Sequence, residues 1–251
     1  MNIEKSFQFP FEDKEWVSKL GLGALITLVP LLNFAWSGYL VGIIRNVMNH
    51  VPEPLPTWDD LGKKFSDGLI LFAAGLVYAS PVILLVGLPL SFIAFSSLLS
   101  GNRNMEDLAR ALAGAGGALF YGLLCLFILY GIALSIIYPA ILVVFSREGT
   151  FASCFKLREV LGLISKNTGP FFTAWGISLV GGLAVSLVIG LFNFTIGLIP
   201  CIGWIASLVV SLGSGVYALA VYVHLFGQFG MIALGNHQLT TTSQSLQEPT
   251  S

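Results

Sequence analysis

The sequence predicts an all-α protein, a polytopic transmembrane helical bundle of five to six spans with short amphipathic helices at the membrane surface. Three observations predict this fold class. Hydrophobic residues make up 55% of the chain and charged residues only 10%, whereas a soluble domain is about 25% charged. Several uncharged stretches exceed the roughly 20 residues that a spanning helix needs. The alternating polar and apolar pattern of a membrane β-barrel is missing from these stretches.

The uncharged stretches locate the predicted spans. They cover residues 20–44, 69–102, 111–146 and 167–247. Each of the first three stretches holds one span, and the last is long enough for two or three. The spans are therefore predicted near residues 20–44, 69–99, 113–145, 170–192 and 198–227.

These spans define a membrane domain of residues 20–235 with a segment on each side. Residues 1–19 alternate aromatic and charged side chains and lack the apolar core of a signal peptide, so they are predicted to form an amphipathic interfacial segment. The tail, residues 236–251, is polar and has little to bury, and we expect it to be disordered.

Pro30 leaves a second interpretation of the first stretch open, because proline ends or kinks a helix. With five simple spans, the 12 lysines and arginines divide seven against five between the two sides of the membrane. If residues 20–44 instead form a re-entrant hairpin, the division is ten against two. The positive-inside rule would then place the N-terminus and the next connector in the cytoplasm.

The connector LPTWDDLGKKF, residues 55–65, is the most charged patch in the middle of the chain. Trp58 is expected at the depth of the lipid headgroups, where its ring is apolar and its N–H finds a polar partner. Asp59 and Asp60 are expected in the first turn of a helix, where carboxylates favour the positive end of the dipole. The other interpretation is a catalytic or ligand-binding acid pair. Two further connectors, RNMEDLARAL and TFASCFKLREVLGLI, also have the pattern of short amphipathic helices in the headgroup zone.

Small residues recur every four positions in the last uncharged stretch. Small residues at this spacing allow the backbones of membrane helices to approach closely. We therefore predict an antiparallel hairpin of two helices that pack through these faces, which contain Ser178, Gly182, Ser186 and Gly190 on the first helix and Gly203, Ser207, Ser211 and Gly215 on the second.

The residues that could carry chemistry are few and scattered. His224 is the only catalytic-type ionisable residue inside a predicted span, and a neutral imidazole bonded to a neighbour suffices to explain it. An intramembrane enzyme would have to draw its residues from Asp59, Asp60, His50 and His224. Cys125, Cys154 and Cys201 have no metal-ligand spacing, and a net charge of −1 gives no basic field for nucleic acid. We therefore expect no enzyme activity, no metal or other cofactor, and no nucleic-acid partner.

Three segments carry a family resemblance: VPLLNFAWSGYLVGIIRNV, LPTWDDLGKKFSDGL and VYASP. They resemble a family of prokaryotic polytopic membrane proteins, a domain of unknown function with a GY…R…LPxWDD signature. The resemblance implies a multi-pass protein of the cytoplasmic membrane and no particular activity. Its signature positions, which we also expect to anchor the chain at the interface, include Gly38, Tyr39, Arg45, Pro56, Trp58, Asp59, Asp60, Phe65 and Gly68.

The sequence favours a non-enzymatic membrane-organising, envelope-maintenance or partner-binding component. Its expected partners are the lipid bilayer and either other membrane proteins or further copies of the same chain. The alternative is a permease or channel for a small neutral or amphiphilic solute. That alternative depends on the two proline-broken segments and on the nearby polar residues Asn33 and Asn193.

Overall fold

The computed structural model describes residues 1–200 and 202–245, with side chains described as far as residue 235. Every regular element within these ranges is helical, which confirms the all-α fold class. Short 3₁₀ turns at Arg103–Met105 and Phe151–Phe155 precede two of the α-helices. The α-helices are α1 (Ile3–Glu12), α2 (Trp16–Thr27), α3 (Asn33–Met48), α4 (Leu61–Leu99), α5 (Glu106–Glu148), α6 (Leu157–Lys166), α7 (Thr168–Ile196) and α8 (Ile202–Ser245).

Four segments in the described part of the chain are long and apolar enough to cross a membrane. They contain α4, α5, α7 and the part of α8 that ends at Gly235, and each coincides with one predicted span. The remaining predicted span, residues 20–44, is not a single helix. The count of five to six spans is therefore not confirmed.

Residues 20–44 belong to two short helices joined by a turn at Pro30. Helices α2 and α3 have 12 and 16 residues, which corresponds to lengths of about 18 and 24 Å. Neither reaches across a hydrocarbon core of about 30 Å. The apolar side chains around the turn are exposed: Leu25, Leu28, Val29, Leu31 and Leu32. Two short helices joined at Pro30 are what the re-entrant interpretation predicts, and the insertion of this hairpin into the membrane stays a prediction.

Two of the three predicted amphipathic connectors are parts of long helices. The residues after Asp60 form the first turns of α4, and the residues after Met105 form the first turns of α5. No proline interrupts the chain between Leu61 and Ser80, so the helix continues into the apolar run. Only the third connector forms a separate short helix, α6, which buries Val160, Leu163 and Ile164.

The chain divides into two compact units. The first contains residues 1–72 and the chain from 138 onward, and its core consists mainly of α3, the second half of α8 and the end of α5. The second contains residues 73–137, the remaining parts of α4 and α5. Within this second unit, the hydroxyl of Tyr130 donates to the carbonyl of Tyr78 at 2.6 Å.

Helices α7 and α8 form a hairpin that is covered by protein only at its base. The buried residues of α7 are Phe171 and Ala174, both within its first two turns. The first buried large side chain of α8 is Val216, one-third of the way along the helix. Between these points, the apolar side chains that face away from the partner helix are exposed.

The polar tail, residues 236–251, was predicted to be disordered. Helix α8 continues over its first residues to Ser245. The side chains of residues 236–245 and the whole of residues 246–251 lie outside the described part of the chain. The disorder of the tail stays a prediction.

Cysteine labelling in sealed vesicles distinguishes a re-entrant α2–α3 hairpin from a single span. In a chain whose native cysteines are replaced by alanine, we expect Lys14→Cys and Val51→Cys to react with a membrane-impermeant maleimide from the same side. Asn104→Cys, which follows one crossing by α4, should react from the opposite side. Labelling of Lys14→Cys and Val51→Cys from opposite sides would show that residues 20–44 cross the membrane.

Candidate functional site

The connector between α3 and α4 folds back onto α3. Its Pro56 ring lies against Gly42, where an added Cβ would be 2.8 Å from the proline Cγ. The side-chain amide of Asn46 donates to the carbonyl of Pro54 at 3.0 Å, and Leu55 is buried. The residues of the LPTW motif therefore form an ordered segment after α3, and these contacts hold it in place.

Trp36, Tyr39 and Trp58 form an aromatic stack, which we call the aromatic junction. The ring centroids of Tyr39 and Trp58 are 4.4 Å apart, and those of Trp36 and Tyr39 are 5.3 Å apart. The indole N–H of Trp58 donates to the carbonyl of Lys19 at 2.9 Å. The junction thus ties α2, α3 and the connector together. Trp58 is half-buried and contacts other protein segments. Its location in the headgroup zone stays a prediction.

Two polar atoms of the aromatic junction are buried without a hydrogen-bond partner. They are the indole nitrogen of Trp36 and the hydroxyl of Tyr39. Burial and the nearby carboxylate of Asp13 raise the pKa of Tyr39 above its usual value, so the phenol stays protonated. Asp13 itself is buried and forms an ion pair with Lys19 at 2.7 Å. The junction therefore contains two unused donors beside a buried ion pair.

Asp59 and Asp60 lie just before α4, which begins at Leu61. The side chain of Asp60 accepts a hydrogen bond from the backbone N–H of Lys63 at 3.2 Å, the contact of an N-cap residue. Asp59 is exposed. Both carboxylates were predicted in the first turn; they lie one and two residues before it, and Asp60 is the N-cap residue. Both carboxylates therefore lie directly before the first residue of a helix.

Two glycines allow α3 and α4 to cross with their backbones in contact. An added Cβ at Gly38 would lie 1.8 Å from the carbonyl oxygen of Lys64, and one at Gly68 would lie 1.8 Å from that of Phe34. No real Cβ is found that close to an oxygen, so glycine is required at both positions. Phe65 packs beside this crossing with its ring edge toward Phe34.

Arg45 connects α3 to α4 and to the end of α5. One guanidinium nitrogen lies 2.5 Å from the carboxylate of Asp67, and Nε donates to the carbonyl of Ser146 at 2.8 Å. The Asp67 side chain is 9% exposed and that of Arg45 is 22% exposed. We call these contacts the Arg45 clamp. All nine signature residues predicted from the sequence therefore belong to, or lie beside, one region of the first unit.

The predicted small-residue faces coincide with the α7–α8 interface only in part. On α7, the hydroxyl of Ser178 is buried, whereas Gly182, Ser186 and Gly190 are exposed. On α8, Gly203 is buried against the carbonyl of Ile196, but an added Cβ at Gly215 would meet no atom within 4 Å.

Helix geometry explains why the small residues leave the interface. Four residues turn an α-helix by about 400°, so a four-residue repeat drifts by about 40° at each step. Over three steps, from Ser178 to Gly190, the drift is about 120°. The middle positions of α8 remain in contact: the side-chain amide of Asn193 donates to the hydroxyl of Ser211 at 3.0 Å, and the hydroxyl of Ser207 is buried.

His224 lies in a buried polar cluster that joins α1 to α8. Its Nδ1 is 2.9 Å from the hydroxyl of Ser6, and the ring of Phe9 stacks on the imidazole at 4.2 Å. The side-chain amide of Gln228 donates to the Asn2 carbonyl at 2.8 Å, and its Oε1 accepts from the Asn2 N–H at 2.7 Å. Sequence reasoning missed this cluster, because Asn2 and Ser6 show no pattern that points to residues more than 200 positions away.

The other ionisable candidates for chemistry are not part of this cluster. His50 is exposed at the end of α3, in the left-handed backbone region with φ of 57°. Among the described residues, no group of three histidine, cysteine, aspartate or glutamate side chains could hold a metal ion. Cys154 is buried and Cys125 is exposed, while Cys201 lies outside the described part of the chain.

One family matches the chain over the helices that form this region. The family is described as a protein of unknown function (DUF4013), and the match covers residues 22–194, which is more than half of the chain. The matched range contains α3 to α6 and all but the last two residues of α7, and therefore the Arg45 clamp and the α3–α4 crossing. No curated protein and no solved structure matches the chain.

Substitution of Gly38 tests the α3–α4 crossing. Gly38→Ala should lower the free energy of unfolding by about 1–3 kcal/mol, because the new methyl group forces the two backbones apart. The matched control is Gly75→Ala on α4, where an added Cβ meets no atom within 4 Å. Thermal unfolding in detergent measures both. Equal melting temperatures for the two variants would contradict the backbone contact.

Asp67→Asn tests the Arg45 clamp. Loss of the carboxylate leaves a largely covered guanidinium without its counter-charge, and we expect destabilisation of about 2–3 kcal/mol, somewhat less than for a fully buried pair. The control is Glu106→Gln, which breaks the exposed pair with Arg110 and should cost at most about 1 kcal/mol. If the two substitutions have the same effect on thermal unfolding in detergent, the clamp is not a stabilising contact.

Proposed function

The chain belongs to the DUF4013 family of proteins of unknown function, and from that premise we propose that it is a non-enzymatic integral membrane protein that organises the lipid bilayer. The observation that carries the proposal is the α2–α3 hairpin. Its helices are too short to cross the bilayer, and its turn presents apolar side chains that no part of the protein covers.

The two ends of this hairpin differ in polarity, as expected for insertion into one leaflet. At the turn, Leu25 and Leu31 are 62% and 70% exposed. At the base, Asp13, Lys14 and Lys19 provide the charges, and Trp16 packs its ring against Phe11. An apolar tip with a charged, aromatic base matches the polarity gradient from hydrocarbon to headgroups.

The distribution of basic residues supports one orientation. If α4, α5, α7 and α8 each cross once and the α2–α3 hairpin does not cross, ten of the 12 lysines and arginines lie on one side. The positive-inside rule then places the N-terminus, the LPTWDD connector and α6 in the cytoplasm. This orientation belongs with a multi-pass protein of the cytoplasmic membrane in a prokaryotic cell, where we place the protein.

A hairpin that ends inside one leaflet displaces lipid from that leaflet alone. The resulting difference in area between the leaflets favours curvature or local thinning of the bilayer. Such an effect needs no substrate pocket, which agrees with a proposal that includes no catalytic residue and no cofactor. Membrane organisation and envelope maintenance are the roles that follow from this physical effect.

Partner binding within the membrane is the second part of this proposal. The small residues Gly182, Ser186 and Gly190 are exposed along α7, and small residues allow another helix to approach closely. The partner would be another membrane protein or a second copy of this chain. Nucleic acid is not proposed as a partner, because the net charge is −1.

A permease or channel for a small neutral or amphiphilic solute remains the alternative. One observation favours it. The side-chain oxygen of Asn193 is buried without a hydrogen-bond partner near the turn between α7 and α8. An unused acceptor at this position could bind a hydroxyl or amide group of a solute. Asn33, the other residue on which this alternative depended, is exposed at the start of α3.

Reconstitution into phospholipid vesicles tests the proposed function. The wild-type protein should narrow or tubulate vesicles, as seen by electron microscopy. Leu31→Asp should lose this effect, because an aspartate costs about 2.5–3.5 kcal/mol at the bilayer centre. Val51→Asp, on the exposed connector, is the matched control and should retain it.

The same vesicles separate the two functions. Vesicle remodelling that is identical for the wild type and Leu31→Asp would contradict the bilayer-organising proposal. Swelling assays with glycerol and urea on these vesicles test the permease, and flux equal to that of protein-free vesicles would end that alternative.

A further inference from the structure

A small notch lies at the base of the α7–α8 hairpin, where α1 packs against both helices. Its volume is about 50 Å³. Phe7 of α1, Gly181 and Gly182 of α7, and Tyr217 and Val221 of α8 line it. It is located where the covered part of α8 gives way to the exposed apolar hairpin.

The two adjacent glycines keep the notch open on the α7 side. An added Cβ at Gly182 would meet no atom within 4 Å, and one at Gly181 would meet only the tip of the Phe7 ring, at 3.9 Å. Gly182 is exposed, so the mouth of the notch opens toward the surface of α7. That surface carries the exposed apolar side chains of Leu179, Val180 and Leu183.

Tyr217 cannot turn into the notch to fill it. Its hydroxyl donates to the carbonyl of Phe7 at 2.8 Å, and the ring of Phe11 packs beside its ring. The Asn2–Ser6–His224–Gln228 cluster fixes the start of α1 on α8. The wall that α1 provides is therefore attached at both ends.

The chemistry of the lining selects hydrocarbon as the occupant. The walls are aromatic rings, aliphatic side chains and glycine backbone, and the one serine hydroxyl at the notch, that of Ser178, is itself covered. A bound water needs two to four polar partners, whereas the Ser178 hydroxyl is covered and the Tyr217 hydroxyl is already bonded to the Phe7 carbonyl. An aromatic solute such as benzene occupies a cavity of about 150 Å³, so the notch, at about 50 Å³, admits only a short stretch of a linear chain whose remainder lies along the surface of α7.

We propose that the notch binds one acyl chain of a membrane phospholipid, which enters past Gly182 and packs against Phe7 and Tyr217. This inference goes beyond the proposed function and rests on its claim that the hairpin lies in a bilayer. The notch then acts as a fixed lipid site between α1 and the hairpin.

Photolabelling tests the acyl-chain site. The full-length protein is reconstituted into phosphatidylcholine vesicles that contain a phosphatidylcholine with a diazirine on one acyl chain. Mass spectrometry then locates the adducts. In the wild type we expect adducts on Phe7 and Tyr217 in addition to adducts on exposed α7 residues such as Leu187.

Two variants of α7 separate the notch from the general lipid surface. Gly181→Leu fills the notch, because a Cβ at Gly181 already lies 3.9 Å from the Phe7 ring, and it should abolish the adducts on Phe7 and Tyr217 while those on Leu187 remain. Gly190→Leu is the control, because an added Cβ there meets no atom within 4 Å, and it should leave both sets unchanged. Gly181→Ala, which fills less of the notch, should reduce the notch adducts partially and provides a milder variant if the leucine disturbs folding.

The outcomes are distinguishable from failure of the proposed function. Adducts on Leu187 without adducts on Phe7 and Tyr217 in the wild type would overturn the acyl-chain site while leaving membrane insertion intact. Notch adducts that persist in Gly181→Leu would also overturn it. The absence of all adducts from α7 would instead contradict insertion of the hairpin itself.

Discussion

Apolar side chains that the protein does not cover impose the main constraint on this structure. Helix α7 has 29 residues and buries only Phe171 and Ala174, and α8 exposes apolar side chains over its first third. A soluble monomer rarely exposes contiguous apolar patches above about 600 Å². Such a surface is stable in hydrocarbon. The rest of the fold must therefore hold the long helices in place without a hydrophobic driving force between them.

The contacts that hold the first unit together are directional, as this solvent requires. Between helices in lipid there is no hydrophobic driving force, so association depends on close packing and on hydrogen bonds. The α3–α4 crossing at Gly38 and Gly68 provides the first of these, and the Arg45 clamp provides the second. The clamp lies where α4 starts and α5 ends, so its charges are beside the charged connectors and outside the apolar middle of the helices.

The sequence predicted those features of the fold that depend on composition alone. Long uncharged runs predicted the four long helices, since few residues within them can break a helix or stay in water. The first run misled because its length suggested one span, and the effect of Pro30 on it depends on how the chain packs. At Pro81, Pro89 and Pro139, by contrast, the helix continues through the proline. Local composition does not distinguish these cases.

The family resemblance named residues of the candidate site, but it did not predict which residues they contact. The resemblance selected Gly38, Gly68 and Trp58, and the structure places all three in one region, yet spacing alone could not show which helix each residue touches. For the small-residue repeat, the predicted contact between helices was correct and the predicted residues were only partly so. It identified the correct helix pair, but a four-residue repeat departs from the 3.6-residue period of the helix, and an interface must follow the helix.

The hydrogen bonds at the two proline turns support their immersion in hydrocarbon. A chain reversal in lipid must satisfy its own backbone groups, because no water is present to do so. At the Pro30 turn, the N–H groups of Leu28 and Val29 bond back to carbonyls three residues earlier, and that of Asn33 bonds to the Val29 carbonyl. At the Pro200 turn, the N–H groups of Gly197 and Gly203 bond to carbonyls four residues earlier. Proline itself has no N–H to satisfy. Apolar side chains and a self-bonded backbone thus occur together at both turns, although only the second joins two helices long enough to cross. The α2–α3 hairpin thus combines a self-bonded backbone and apolar side chains at its turn with helices that are too short to cross, and both properties support the proposal that it inserts into one leaflet.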